Sequence, residues 1–232
     1  MIETIKSDGE KRSSTLIPES KIQQKKWKKF LKDHKNIPAL YPYNLSICEK
    51  PKFLWFRNAK VGTRTTMNIM DDLNLDLVAA QPFNTYYSPE YYKDYFKFAF
   101  VRNPYDRLVS GWYNKVVKKE VIKLKKAKRE NLLDFNAFVE YLTTWDLKTC
   151  DIHFRLQSLL IDMNEVDYIG RMESFEEDLR QVFHILGLQV KKIPHSNKSN
   201  NRQDYKSYYN KVTQQKVEQM YRKDLQLFGY SF

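Results

Sequence analysis

Two cysteines, Cys48 and Cys150, stand in a chain of 232 residues. That is too few for a disulfide scaffold and allows one bridge at most, so the fold must rest on a hydrophobic core. No cysteine–histidine cluster has the spacing of a zinc site, and no cluster of acidic ligands stands out. No apolar run is long enough to cross a bilayer. The opening MIETIKSDGEKRSS lacks the apolar stretch of a secretory signal, so the chain as given is expected to be soluble and cytoplasmic. There is no internal repeat of the kind that builds solenoids. The phosphate-loop pattern GxxxxGK[ST] is also missing, which sets aside an ordinary nucleoside triphosphate loop.

What is present fits a globular protein. Hydrophobic residues make up 42% and aromatics 15% of the chain. Residues 1–20 are polar and read as a tail, and residues 21–232 as a single domain. The net charge is +12, which attracts polyanions: nucleic acid, acidic glycans, anionic membranes or phosphorylated cofactors. Two segments concentrate this charge. Lys21–Lys35 reads as a basic helix with an apolar stripe at Ile22, Trp27, Phe30 and Leu31, which suits a membrane surface or packing on the domain. Lys115–Arg129 reads either as a solvated connection or as a landing strip for an acidic acceptor chain.

Lys52–Asn68 reads as a strand, a tight turn and the opening of a helix. Phe53, Leu54, Trp55 and Phe56 form an aromatic-rich apolar run, the pattern of a parallel strand buried on both faces. Lys60–Thr66, KVGTRTT, follows it. Gly62 allows close approach of backbone to a ligand, and the helix start turns N–H groups and a favourable dipole toward an anion. Thr63, Thr65 and Thr66 add hydroxyl donors, and Lys60 adds a point charge. Together these make a phosphate cradle. Taken alone, the stretch also reads as a plain strand–helix connection with a surface lysine.

Phe98–Tyr113, FAFVRNPYDRLVSGWY, repeats the arrangement. Arg102 falls at the carboxyl end of the strand, where open α/β sheets bind ligands. Pro104 opens the helix without losing an intrahelical donor. Arg102 and Ser110 supply a guanidinium and a hydroxyl for one small anion, such as a ribose 3′-phosphate. The paired stretches KVGTRTT and VRNPYDRLVSGWY resemble the 5′-phosphosulfate loop and the 3′-phosphate motif of sulfotransferases that use 3′-phosphoadenosine 5′-phosphosulfate (PAPS). Within that group they resemble the carbohydrate sulfotransferase branch, sulfotransferase family 2. Further blocks of the resemblance are DIHFRLQ at Asp151–Gln157, YIGRMESFEEDL at Tyr168–Leu179 and the ending DLQLFGYSF.

Strands that end at anion cradles, each followed by a helix, argue for a three-layer α/β/α domain with a central parallel sheet. The resemblance implies that this is the P-loop-like nucleotide-binding sulfotransferase fold. It also implies transfer of the sulfuryl group of PAPS to a hydroxyl of a carbohydrate, in line and without need of a metal, leaving 3′-phosphoadenosine 5′-phosphate (PAP). Lys60 would then neutralise the leaving oxygen. Gly62, Thr63, Arg64, Thr65 and Thr66 would hold the 5′-phosphate, chiefly by backbone N–H groups. Arg102 and Ser110 would hold the 3′-phosphate, and His153 is the candidate base. Asn197, Lys198 and Ser199 match an Asn–x–Ser loop that closes over the nucleotide in the family. Arg171 is read chiefly as structural, near the cofactor. His34, His184 and His195 are read as structural or surface residues.

Between these motifs, Ile37–Pro51 reads as a lead-in, and Leu73–Tyr95 as an irregular connection carrying a further strand and a short helix. Asp134 or Asn136 is placed to cap a helix over 131–141. Val166–Gly170 reads as a strand. Ser174 and Glu177 are spaced for a capping box on the helix Phe175–Leu186, which Gly187 ends. Tyr208–Phe228 reads as one closing helix with apolar positions at Val212, Val217, Met220, Tyr221 and Leu225. Animal Golgi relatives carry an amino-terminal anchor and several cysteines. Their lack here is expected of a cytoplasmic relative or of a trimmed domain from the Golgi lumen. A rival reading is a basic nucleic-acid- or heparin-binding protein without catalysis, and a kinase-like transferase is a second. The first leaves both anion cradles without a purpose, and the second lacks the lysine position and magnesium ligands.

Overall fold

A computed structural model describes residues 41–79, 85–118, 130–190, 193 and 204–232. The amino-terminal tail, the basic helix, most of the polybasic stretch and Asn197, Lys198 and Ser199 lie outside the described residues, as do His34 and His195. Seven strands are described: β1 Tyr41–Tyr43, β2 Leu45–Glu49, β3 Lys52–Phe56, β4 Leu77–Ala79, β5 Thr85–Tyr87, β6 Phe96–Val101 and β7 Tyr168–Arg171. The described α-helices are α1 Thr63–Asp72, α2 Pro104–Trp112, α3 Phe135–Leu142, α4 Phe175–Ile185, α5 Lys211–Met220 and α6 Arg222–Phe228.

The central sheet has five strands in the order β4-β2-β3-β6-β7, and β1 pairs with β5 in a separate ribbon. β3, β6 and β7 are parallel neighbours, but β2 runs antiparallel to both β3 and β4. The expected all-parallel sheet is therefore corrected to a mixed one. Only Lys50 and Pro51 separate β2 from β3, and so short a link can join only antiparallel strands. The prolines of the 37–51 segment made it read as a lead-in. In fact it carries β1 and β2, and the 73–95 connection carries β4 and β5.

Side-chain alternation along the strands builds a core on each face of the sheet. Phe53, Trp55, Phe98 and Phe100 pack against Met67, Ile69 and Met70 of α1 and against Leu179, Val182 and Phe183 of α4. On the other face, Leu45, Ile47, Leu54, Phe56, Ala99 and Val101 meet Tyr87, Tyr92, Ile161 and Phe228. The second face is thus covered by connecting segments and the end of α6, so the helical layer there is only partial. A third core lies beyond the strand ends. In it Leu108, Val109 and Trp112 of α2 pack with Phe135, Phe138 and Leu142 of α3 and with Phe154, Val217, Tyr221 and Leu225. Because α2 begins directly after β6, it carries the end of the sheet into this helical core.

Three local expectations change. The closing helix is two helices, broken at Tyr221 (φ −105°, ψ 16°), whose buried hydroxyl donates to the Phe154 carbonyl at 2.6 Å. Val212, expected to be apolar core, is 55% exposed. The Ser174–Glu177 capping box does not form: Ser174 Oγ donates instead to Asp178 Oδ2, which also accepts from the Arg171 N–H. Asp134, rather than Asn136, caps α3 by accepting from Ala137 N at 2.7 Å. Both cysteines are free thiols. Among the described residues no helix is long and apolar enough to cross a membrane.

Candidate active site

The cradle grows from the carboxyl end of β3. Asn58 Nδ2 donates to the Phe100 carbonyl at 2.9 Å, tying the loop to β6. The backbone then turns through two left-handed residues, Lys60 (φ 71°) and Gly62 (φ 78°). For lysine this conformation is unfavourable, and such strain gathers at functional sites. At Gly62 the need for glycine is double, because a Cβ there would lie 2.5 Å from the Phe175 ring as well as adopting a positive φ. The glycine is thus fixed by packing on its own protein, a cause the sequence reading assigned to a ligand.

α1 starts at Thr63 with no side-chain cap and no acidic residue in its first turn, which leaves its positive end open to an anion. The threonine hydroxyls turn inward. Thr63 Oγ1 donates to the Asn58 carbonyl at 3.0 Å, Thr66 Oγ1 donates to Gly62 O at 3.4 Å, and Thr65 is buried. Arg64 is exposed. The cradle therefore offers backbone amides and the Lys60 ammonium, with the hydroxyls bracing the loop.

The second loop leaves β6 one strand over. Gln157 clamps the Arg102 backbone from both sides: Arg102 N donates to Gln157 Oε1 at 3.0 Å and Gln157 Nε2 donates to Arg102 O at 2.9 Å. The Arg102 guanidinium donates to Asp106 Oδ2 through Nε (2.7 Å), and through Nη1 to the Lys60 carbonyl (3.2 Å). This last bond puts the two loops in direct contact. Burial pushes the guanidinium down to about 10, with Glu173 and Tyr230 opposing, so it stays charged at neutral pH. Asn103 caps α2 by accepting from Tyr105 N, and its own N–H donates to Glu173 Oε1 at 2.7 Å. Ser110 is half-buried two turns along α2, and its hydroxyl makes no hydrogen bond among the described residues.

A third loop completes the arrangement. The fully buried Arg107 donates to the carbonyls of Ala59 (3.1 Å), Ile152 (2.7 Å) and Arg155 (2.8 Å), so one guanidinium staples the cradle to the segment carrying His153. His153 is 9% exposed, and its Nδ1 lies 2.6 Å from Asp151 Oδ1. With Nδ1–H donated to that carboxylate, Nε2 keeps the lone pair and is the atom able to take a proton. Burial lowers the pKa of His153; Asp151 opposes this, and the charges of Lys115 and Lys60 reinforce it. Asp151 is raised by burial, but the hydrogen bonds and charge of His153, together with Lys115, outweigh this and hold it at about 2. The pair is thus a carboxylate and a neutral imidazole at neutral pH.

Lys60, Arg102 and His153 are brought together across three loops. Arg171 turns away: its guanidinium donates to the Phe228 carbonyl at 2.6 Å and stacks on Tyr230 at 4.7 Å. Sequence reasoning passed over Asp151, Arg107, Glu173 and the clamp made by Gln157. The Asp–x–His–x–x–x–Gln spacing carries two of these. Arg107 and Glu173 have no local signal, because their partners are distant in the chain. Among the described residues no group of three or more His, Cys, Asp or Glu side chains is placed to hold a metal.

The family model described as Sulfotransferase family matches residues 43–231, which takes in all three loops. Carbohydrate sulfotransferase 10 of Xenopus laevis is 30% identical over 168 residues, covering 59% of this chain and 47% of the frog protein. Carbohydrate sulfotransferase 10 of Rattus norvegicus is 25% identical over 247 residues, covering 85% of this chain and 69% of the rat protein. The chain thus aligns with about half of the frog protein's length. No solved structure matches. With the cradle, the Arg102 loop and the His153 loop all inside the matched span, this chain belongs to the sulfotransferase family.

Proposed function

We propose that the chain is a PAPS-dependent carbohydrate sulfotransferase. The observation that carries this reading is the contact of the two anion loops, Arg102 Nη1 donating to Lys60 O at 3.2 Å, with a neutral imidazole beside them. The donor set suits a nucleotide bearing anions at both ends. It has an uncapped helix start with a lysine before its glycine, and beyond the neighbouring strand a half-buried guanidinium and a serine hydroxyl that makes no hydrogen bond among the described residues.

PAPS supplies an activated sulfuryl group when bound. The amides of Thr63–Thr66 would hold its 5′ end, and Arg102 with Ser110 its 3′-phosphate, a charge-assisted contact that selects against nucleotides lacking that group. Lys60 meets the oxygen on which charge grows as the sulfuryl group departs, the place where a fixed cation accelerates transfer most. His153 Nε2 accepts the proton of the acceptor hydroxyl, and Asp151 holds the ring in that tautomer and stabilises its charged form. The printed names of the relatives favour a carbohydrate hydroxyl as acceptor.

The test is thermal unfolding with PAP followed by transfer from labelled PAPS to a glycan panel. PAP at a hundred times its dissociation constant should stabilise the protein by about 2.7 kcal/mol, and an oligonucleotide should not. Label should appear on a sugar hydroxyl. Stabilisation by oligonucleotide alone, with no transfer to any sugar, would contradict the proposal.

A further inference from the structure

Asp224 is a buried carboxylate that the scheme above leaves unused. It is 0% exposed, in the first turn of α6. Taking a carboxylate out of water is costly, and such groups persist where hydrogen bonds replace the lost water. Asp224 has two of them, one to each oxygen. Oδ2 accepts from Gln157 N at 2.6 Å and Oδ1 accepts from Ser158 N at 3.1 Å. Because each oxygen takes a different N–H, the pair fixes both the position and the direction of the backbone at 157–158.

Those N–H groups open the 3₁₀ turn Gln157–Leu159. The cap residue of that turn is Leu156, which has no side-chain acceptor to offer, so the cap comes from α6, 67 residues along the chain. The first residue of the turn is also the one that clamps Arg102. Gln157 is fully buried, and its side chain exchanges two hydrogen bonds with the Arg102 backbone, accepting from N at 3.0 Å and donating to O at 2.9 Å. A carboxamide that donates and accepts at once loses both bonds together when its backbone shifts. A chain of contacts therefore runs from Asp224 through Gln157 to the loop that presents the Arg102 guanidinium. Three residues earlier on the same side of the helical segment, Tyr221 donates to the Phe154 carbonyl at 2.6 Å. The start of α6 thus grips one segment twice, Tyr221 on the side of His153 and Asp224 on the side of the clamp.

We propose that Asp224 is a positioning residue for 3′-phosphate recognition. It holds Gln157 where that side chain pins the backbone of Arg102, so the closing helices set the nucleotide selectivity of a loop they do not belong to. This rests on the sulfotransferase reading.

The experiment measures the affinities of PAP and of adenosine 5′-phosphate by isothermal titration for wild type, Asp224→Asn, Gln157→Met and the double variant. Asp224→Asn keeps the shape of the side chain but turns an NH₂ group toward one of the two N–H donors. It should lower the preference for PAP over adenosine 5′-phosphate by about tenfold, the size of one hydrogen bond lost, with adenosine 5′-phosphate affinity unchanged. Gln157→Met should do the same, and the double variant should lose no more than Gln157→Met alone, because Asp224 acts through that side chain. A carboxylate that only supports the fold would lower the melting temperature and both affinities alike. An unchanged preference in Asp224→Asn, or additive losses in the double variant, overturns the proposal. Tyr221→Phe cuts the other grip of α6 and should leave the preference intact; an equal loss there overturns the particular role of Asp224. A second readout needs no ligand: hydrogen exchange of the Arg102 amide should quicken about tenfold in Asp224→Asn, and an unchanged rate overturns the link to the clamp whatever binds there. If wild type shows no preference for PAP while the Arg102 amide still responds, the 3′-phosphate role is overturned with the sulfotransferase reading and the mechanical link alone stands. If Asp224→Asn does not fold, wild type decides. PAP should then raise the protection of the Gln157, Ser158 and Arg102 amides together, and protection of Arg102 alone overturns the proposal.

Discussion

The cradle at Asn58–Thr66 and the grip at Arg102–Asp106 leave adjacent parallel strands, yet they are held by opposite means. The cradle is shaped by its own backbone: two left-handed residues in three positions, hydroxyls folded onto nearby carbonyls, and one ring, Phe175, closing over Gly62. The Arg102 loop is shaped from outside, by Gln157 55 residues away and Glu173 70 residues from Asn103. A loop braced by its own backbone tolerates changes elsewhere in the chain. A loop braced by distant side chains is only as firm as the tertiary structure that presents them. Arg107, donating to both Ala59 and the His153 loop, makes the two systems one site.

The largest effect should come from cutting that staple. Arg107→Met leaves three carbonyls without their buried donor, and removal of a hydrogen-bonded buried charge costs about 3–5 kcal/mol. Urea unfolding should show a loss of this size. A loss below about 1 kcal/mol would mean that the loops are joined some other way.

Next in size is the base. His153→Ala should lower kcat by about a hundredfold, a typical contribution of a positioned base. Because burial depresses His153, the wild-type rate should fall with decreasing pH only below the ordinary histidine range, through a limb that vanishes in the variant. The sign for stability follows from the same shifts. An unfolded chain protonates this histidine near pH 6.5 while the folded one does not, so the folded state loses ground as pH falls below that value. Asp151, held at about 2 against 3.8 unfolded, contributes stability above pH 3.8 that is lost toward pH 2. Both groups therefore weaken the fold in acid. A rate limb unchanged in His153→Ala would place the base elsewhere.

The smallest of these effects sharpens the contrast between the two loops. Gly62→Ala forces alanine into a positive φ and its Cβ into Phe175, for a cost of about 1–3 kcal/mol. Adding Phe175→Ala should relieve the clash but not the dihedral strain, so the Gly62→Ala penalty should shrink by only part when measured in the Phe175→Ala background. Complete disappearance of the penalty there would mean that the backbone of the cradle is not what shapes it.

The same contrast explains what was legible in the sequence. β3, β6 and β7 and the starts of α1 and α2 declare themselves, because apolar runs, Gly62 and Pro104 act within a few residues of their own positions. β2 was lost because its strand signal is masked by flanking prolines, and its identity depends on pairing with β3. Gly62 was recognised for a reason that is only part of the cause, since Phe175 lies in a helix more than a hundred residues on. Asp151 was visible in a motif without its role, which needs the 2.6 Å contact to be seen. Arg107 and Glu173 look like ordinary surface charges in the sequence; the fold buries Arg107 against three carbonyls, while Glu173 stays exposed and accepts from the Asn103 N–H.

The central claim is that the Arg102 loop reads a 3′-phosphate while the cradle reads the 5′ end. Isothermal titration of wild type and Arg102→Ala with PAP and with adenosine 5′-phosphate tests it most directly. A charge-assisted hydrogen bond contributes about 1.5–3 kcal/mol, so PAP should bind about ten- to a hundredfold more weakly to the variant while adenosine 5′-phosphate changes little. Equal losses for both nucleotides, or a wild type that does not prefer PAP, would contradict the account.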